Sequence, residues 1–585
     1  MNVRPVVQAL KCLLALLMFS IPAAAGEYRT VEVESLRVTL DSEWSTQTAP
    51  GYWPVRFDIT NLGEDRVIEI YGRGDRWWRS GEAGNSEIRQ TLRLKRGDRQ
   101  RFTIPVPVFG DNDSVLFQIR ERGRTVQSFT YAGFQSNKSL DETAALIVSD
   151  TANLGIGGAS WLRPLPLTVP GTATSRAAGV TSPRLDFILD PPRLPSDWLG
   201  YTSLRAVFIR TKEWSQLSDV QKEALLTWTA CGGDFMFVDG DLNTLLPDMQ
   251  SRPAGMVTNG DDSLRYYFGH IHLVKSADIN EKGLTGILST SRKADNFSRS
   301  LPANRAPDWL YVGERGFRLP IPGVEGVPAR SYMAILIVFS LLIGPVNYVL
   351  LWRKKRQVLL VLTAPLISML FLAVLAGYAV FGEGIGIRGR AQSFTVLDQT
   401  TKRAATRASV SLYAAGMTPW NGLRFPKATA IFPTGSDGRG SRDPEVIDLT
   451  ETQQFSSGIA RARAPSNFEE ISFRPARERL NFSRSGQNVT VANALGSNVD
   501  QLFYRSGGVI YTLTGPLRTG GQATMHAGGK LDLQTLPAKF RSIADEQQDG
   551  TYLAYLEHSP FLETGAPNVE ERGSFHLLLG YAGVE

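Results

Sequence analysis

The sequence predicts a multidomain chain: an α/β unit with a doubly wound sheet, flanking β-sandwich domains, and a transmembrane helical hairpin. Three observations lead there. Period-two alternation fills the first hundred or so residues of the exported part and most of the last third. Short apolar strands alternate with a helix signal in between. Two apolar runs of about 20 and 24 residues then stand back to back, each long enough to cross a hydrocarbon core about 30 Å thick. At 585 residues and 42% hydrophobic, the chain is too long for one core. A net charge of +6 is small for that length and excludes a nucleic-acid partner as the default reading.

The first element is a signal peptide over 1–25. Arg4 and Lys11 form a basic start, Cys12 to Ile21 a short apolar run, and Ala23-Ala24-Ala25 a small-residue cleavage site. Cys12 lies inside the apolar run and not at its end, so a lipoprotein anchor is not expected. Cleavage leaves Cys231 as the one cysteine, and hence no internal disulfide.

Residues 27–134 read as an immunoglobulin-like β-sandwich. In "YWPVRFDITNLGEDRVIEIYG", Val55, Phe57 and Ile59 alternate with Arg56, Asp58 and Thr60, and Asn61-Leu62-Gly63 supplies a turn. Residues 141–315 read as the α/β domain. "AALIVSD", "LRAVFIR" and "DFMFVDG" are strands, and "SDVQKEALLTWTA" is a helix that Ser218 caps, with Gln221 three residues on.

The membrane helices are expected at 333–352 and 358–381, with Tyr332 and Trp352 at aromatic-belt positions. The loop between them, 353–357, opens with Arg353-Lys354-Lys355-Arg356. By the positive-inside rule it lies in the cytoplasm, so both flanking portions face the exported side. Neither apolar run holds an Asp, Glu, Lys, Arg or His, which argues against ion or proton transport. Residues 391–585 read as a β-rich domain.

Two stretches carry a resemblance. Trp198-x-Gly200-Tyr201, a strand, a helix, and Gly232-Gly233 before an apolar strand resemble class I glutamine amidotransferase-like domains of bacterial membrane-anchored envelope proteins. Gly344-Pro345, Asn347-Tyr348, the basic loop and Pro365 are similar to the membrane hairpin of the same proteins. The resemblance implies a flavodoxin-like sheet in the periplasm and an inner-membrane location. It also implies work beside AAA-type ATPases and von Willebrand-A-domain proteins. The catalytic relatives place a cysteine at a tight strand-to-helix turn, with a His-x-Glu pair downstream. Here the turn is Asp239-Gly240-Asp241, and the downstream pair is His270-x-His272. The resemblance therefore implies the fold and speaks against the reaction.

Each chemical candidate has a structural alternative. Leu217, Ala224, Trp228 and Cys231 share one helix face, and Cys231 sits at the C-terminal end, where the dipole disfavours thiolate; a buried thiol is expected. His270 and His272 share one face of a strand but lack the third ligand that zinc needs. Asp239, Asp241, Asp261 and Asp262 read as solvated turns, and Gly155, Gly157 and Gly158 as a loop without the full phosphate-binding pattern. Trp77 and Trp78 could stack on a sugar ring or simply pack. Gly344-Pro345 should bend the first membrane helix, and Asn347 needs a partner in lipid.

No residue is assigned as catalytic, cofactor-binding or metal-binding. The leading expectation is a non-catalytic inner-membrane scaffold or binding module. The alternatives are a periplasmic hydrolase or transferase using Asp239 with His270, and a glycan-binding protein using Trp77 and Trp78.

Overall fold

The computed structural model describes residues 28–41, 51–75, 86–108, 114–132, 144–148, 184–204, 206–247, 263–275, 319–324, 329–383, 386–415, 422–433, 445–457, 464–486, 488–513, 515–528 and 549–582. The expected signal peptide, Trp77, Trp78, Gly155, Gly157, Gly158, Asp261 and Asp262 lie outside the described residues. The described part is mostly sheet with few helices, and two of its helices are long and apolar enough to cross a membrane.

The N-terminal strands form two facing sheets. One is antiparallel in the order Tyr28–Val33, Leu36–Asp41, Gly51–Asn61, Arg99–Val108. Its alternation is the one expected: Val55, Phe57 and Ile59 are at most 2% exposed, while Asp58 on the other side pairs with Arg99 and Arg101. Those guanidiniums hold the Asp58 carboxyl below its ordinary range. The facing sheet contributes Ile68, Ile70, Ile88, Phe117 and Ile119 to the same core, and Phe57 meets Phe117 edge-on at 5.5 Å between ring centres.

That second sheet does not end within the N-terminal segment. Strand Glu445–Asp448 pairs in parallel with Ser86–Leu94, and Gln453–Phe455 and Leu423–Phe425 follow, giving seven strands. The expected free-standing sandwich is therefore completed from beyond the two apolar helices. An exposed strand edge offers a row of unpaired backbone groups, and here a later segment covers it. Period-two patterning reports which face a strand buries and is silent about its neighbour, so the joint could not be read locally.

The α/β sheet runs Arg184–Leu189, Ala144–Val148, Ala206–Arg210, Asp234–Val238, Gly269–Val274, all parallel, with Ser263–Tyr266 antiparallel at the edge. Strand order reverses between Ala144–Val148 and Ala206–Arg210. Helices Thr211–Gln216 and Asp219–Ala230 cover one face, with Trp214 against Phe235 and Phe237 at 5.7 and 6.0 Å. The Ser218–Gln221 capping box forms as the sequence indicates.

The far flank of the Asp219–Ala230 helix is also covered. Phe394, Ala405 and Phe473 of the C-terminal sheet join the same core, and Arg403 pairs with Glu223. Coverage on two sides explains why Gln221, Thr227 and Thr229 are buried; Gln221 Nε2 donates to the Pro191 and Leu194 carbonyls at 3.1 and 2.9 Å.

The C-terminal portion forms one twelve-stranded sheet, centred on strands Ile387–Asp398, Arg403–Ala414, Pro465–Pro475 and Phe575–Tyr581. The turn Trp198–Tyr201 is where all three portions meet. Trp198 Nε1 donates to the Ala428 carbonyl at 2.7 Å, and Thr202 Oγ1 accepts from the Tyr52 amide at 2.8 Å. The Tyr52 hydroxyl in turn donates to the Ile431 carbonyl at 2.8 Å. A Cβ on Gly200 would sit 3.0 Å from Pro195 and 3.1 Å from Pro54, so no larger residue fits without displacement.

The hairpin consists of Ala329–Leu341, a widened turn at Leu342–Val346 holding Gly344-Pro345, Asn347–Arg353, and then Leu360–Glu383. The two spans are Met333–Arg353 and Gln357–Leu375, with side chains such as Val358 and Val361 exposed by 87% and 80%. Asn347 finds its partner across the hairpin: its amide donates to Thr363 Oγ1 at 3.0 Å and accepts from it at 3.1 Å. The segments before and after the hairpin share sheets and cores, so a membrane crossed by these helices has both segments on one side.

Candidate functional site

In a parallel α/β sheet, chemistry is placed at the carboxyl ends of the strands. Here that end carries Asp239, exposed and left-handed at φ 53°, between Val238 and a close-packed Gly240. Thr211 Oγ1 donates to the Asp239 carbonyl at 3.1 Å, and Asp241 caps the following short helix through the Thr244 amide at 2.6 Å. Arg210 reaches fully buried Glu213, with Nε donating at 3.0 Å. Asp and Asn tolerate this backbone region better than other residues, so the turn needs no catalytic explanation.

His270 lies at the opposite end. It is the second residue of strand Gly269–Val274, in register with Asp234, which opens Asp234–Val238. The five steps from Asp234 to Asp239 span about 16 Å at ~3.3 Å each. The proposed pairing of Asp239 with His270 does not form. Instead His270 Nδ1 is 3.4 Å from Asp234 Oδ1 and His272 Nε2 is 3.9 Å from it, with all three side chains at most 3% exposed. Among the described residues no group of three or more His, Cys, Asp or Glu is arranged to hold a metal ion. Gly269 fixes this corner: a Cβ there would lie 2.1 Å from the Thr229 carbonyl and 2.4 Å from that of Gly233.

Cys231 caps the C-terminus of its helix and is 5% exposed. Burial pushes its thiol far above the ordinary range, against a smaller opposing pull from Arg407. A neutral thiol at this position does not serve as a nucleophile.

A third cluster was not anticipated. Parallel pairing of Ile387–Asp398 with Phe575–Tyr581 sets His576 opposite Ser393, and the short strand Val569–Glu571 runs along the same partner. His576 Nδ1 is 2.7 Å from Ser393 Oγ, and Nε2 is 2.8 Å from Glu571 Oε2. In the neutral ring the nitrogen facing Glu571 donates and the other accepts from the serine. His576 holds the Glu571 carboxyl below its ordinary range, against the effect of burial. The composition is that of a hydrolytic triad, yet Ser393 and His576 are 1% and 2% exposed and Ser393 sits in mid-strand. It lacks the strand-to-helix turn that presents a nucleophile, so these groups fasten strands together. Glu470, on the same face, is fully buried; one oxygen accepts from the Glu563 amide at 3.2 Å, and burial drives its carboxyl well above the ordinary range.

Sequence reasoning found Cys231, His270, His272 and Asp239 but missed Asp234, Ser393, Glu470, Glu571 and His576. Asp234 carried a weak signal as the one charge opening an apolar strand. Ser393 and His576 are 183 residues apart and carried none.

No protein family matches the chain, and no curated protein matches it. Solved structures with some likeness include a calcium-binding mutant of Bacteroides uniformis beta-glucuronidase 2, at 12% identity and TM-score 0.12 over 47% of this chain and 31% of that one. The same enzyme covalently bound to cyclophellitol-6-carboxylate aziridine gives 10% identity and TM-score 0.12, again over 47% and 31%. A glycosyl hydrolase family 2 member from Bacteroides cellulosilyticus gives 8% identity and TM-score 0.18, over 92% of this chain and 77% of that one. The chain spans about a third of the length of the two glucuronidase structures. Scores this low carry no argument about fold or activity.

Proposed function

We propose that this chain is a non-catalytic, membrane-anchored scaffold of the bacterial envelope. Its amidotransferase-like α/β part and β-sandwich form one periplasmic body that holds a partner. The observation that carries this reading is the fusion of the modules. The helix layer of the α/β sheet is enclosed by the C-terminal sheet, and the N-terminal sandwich borrows strands from beyond the hairpin. Such a body is stiff, and its two apolar helices tie it to the inner membrane. The separation of Asp239 from His270 and the raised thiol of Cys231 favour binding over transfer chemistry. AAA-type ATPases and von Willebrand-A proteins are the partner classes suggested by the sequence resemblance.

The docking surface is the carboxyl edge of the α/β sheet, where Lys212 and Asp239 are exposed. A photo-crosslinking residue placed at 212 or 239 in the living cell should capture one and the same envelope protein. The same probe at exposed Arg93, on the sandwich, should not. Equal capture at all three positions, or none at 212 and 239, rejects the surface. Hydrolytic or transfer activity of the purified protein that Asp239→Asn abolishes rejects the non-catalytic reading.

A further inference from the structure

The short loop between the membrane helices carries Arg353, Lys354, Lys355 and Arg356, all exposed. None of the four pairs with a carboxylate among the described residues. Orientation in a membrane needs only the net count of such charges, on a loop of any shape. This loop has a fixed shape. The Lys355 amide donates to the Trp352 carbonyl at 3.0 Å, and the Arg356 amide to the Leu351 carbonyl at 3.0 Å. These two bonds are the Schellman closure of a helix C-terminus. The left-handed position of that closure strongly favours glycine, yet Lys355 occupies it at φ 53°. A charge is thus kept where the backbone would be relaxed by losing it. Trp352, 59% exposed and next in the chain, is an interfacial anchor that holds the turn at headgroup depth.

We infer that the Arg353–Arg356 turn is a binding site for anionic phospholipid headgroups, with its cations contacting lipid phosphate oxygens. The inference rests on the membrane-spanning reading. Four consecutive residues lie within about 11 Å of one another at ~3.8 Å per step, which suits them to one or two phosphates at a single depth. Arginine takes phosphate oxygens in a fork and lysine as a point charge. Clusters of this size beside a membrane helix recognise anionic lipid.

The test uses the full chain in mixed micelles of neutral detergent, where orientation plays no part. A fluorescent phosphatidylglycerol should bind more tightly than the matching phosphatidylcholine, and added salt should narrow the difference. Lys354→Gln with Lys355→Gly should weaken phosphatidylglycerol binding by about fivefold for each cation removed. Lys355→Gly alone should weaken it by about fivefold without lowering thermal stability, because glycine suits the turn. Equal binding of the two lipids, or no change in the double variant, overturns the inference. Displacement by inorganic phosphate at the same concentration as lipid also overturns it, because the site would then take free anions. Release of the wild-type chain from membranes by alkaline carbonate would sink the membrane reading itself. An integral chain without lipid preference sinks the lipid site alone.

Discussion

Two glutamates on one face of the C-terminal sheet, one partly and one fully buried, behave in opposite ways. Glu571 faces His576 and titrates below its ordinary value; Glu470, fully buried, titrates well above it. Burial differs between them: Glu571 keeps 13% of its side chain exposed and Glu470 none, so the desolvation that opposes the charge is larger at Glu470. The partner differs as well: a ring nitrogen at 2.8 Å for Glu571, and for Glu470 chiefly a backbone amide at 3.2 Å. One charged form is held, and the other is resisted.

His576→Ala removes the shared partner and leaves Ser393 and Glu571 facing a cavity, and should cost about 3 kcal/mol or more at pH 7. Denaturant unfolding in detergent, followed by maleimide labelling of otherwise inaccessible Cys231, measures the loss. Next, Glu571→Gln should cost about 1–2 kcal/mol at pH 7. A depressed carboxylate stabilises the fold above its unfolded value, near 4.5, and that contribution vanishes as pH falls through the folded value. The gap between variant and wild type should therefore close in strong acid.

Glu470→Gln should shift stability in the opposite direction. A raised carboxylate penalises the fold as pH climbs past its unfolded value, near 4.5. The variant should therefore be about 1 kcal/mol more stable than wild type at pH 7 and no more stable at pH 4. A loss at pH 7 would show that the buried carboxylate is held charged. The smallest effect is expected in the hairpin, where Asn347→Leu should cost about 0.6–1 kcal/mol, read from thermal melts in detergent. Thr363→Val should match it, since the two groups bond only as a pair.

Much of the fold was legible where the signal is local. The alternation of Val55, Phe57 and Ile59, the Ser218–Gln221 cap and both apolar helices follow from periodicity and neighbouring residues. The motif Trp198-x-Gly200-Tyr201 stood out as a resemblance, but its structural role did not: it forms a turn that joins three portions of the chain. The site was less readable. His270 and His272 were correctly placed on one strand face, while their carboxylate, Asp234, comes from the neighbouring strand. Register between strands is set by packing that no short window contains.

The strand shared across the hairpin also imposes a timetable on synthesis. Ser86–Leu94 receives its neighbour Glu445–Asp448 only after both apolar helices have emerged. At ~5–20 residues per second, the intervening ~350 residues take roughly 18–70 s. Through that interval the nascent body exposes an open sheet edge and one bare flank of the Asp219–Ala230 helix. A chain interrupted after the hairpin would stay in that state, open to proteases and to edge-to-edge association. Completion of the last third of the chain therefore acts as the checkpoint for the first.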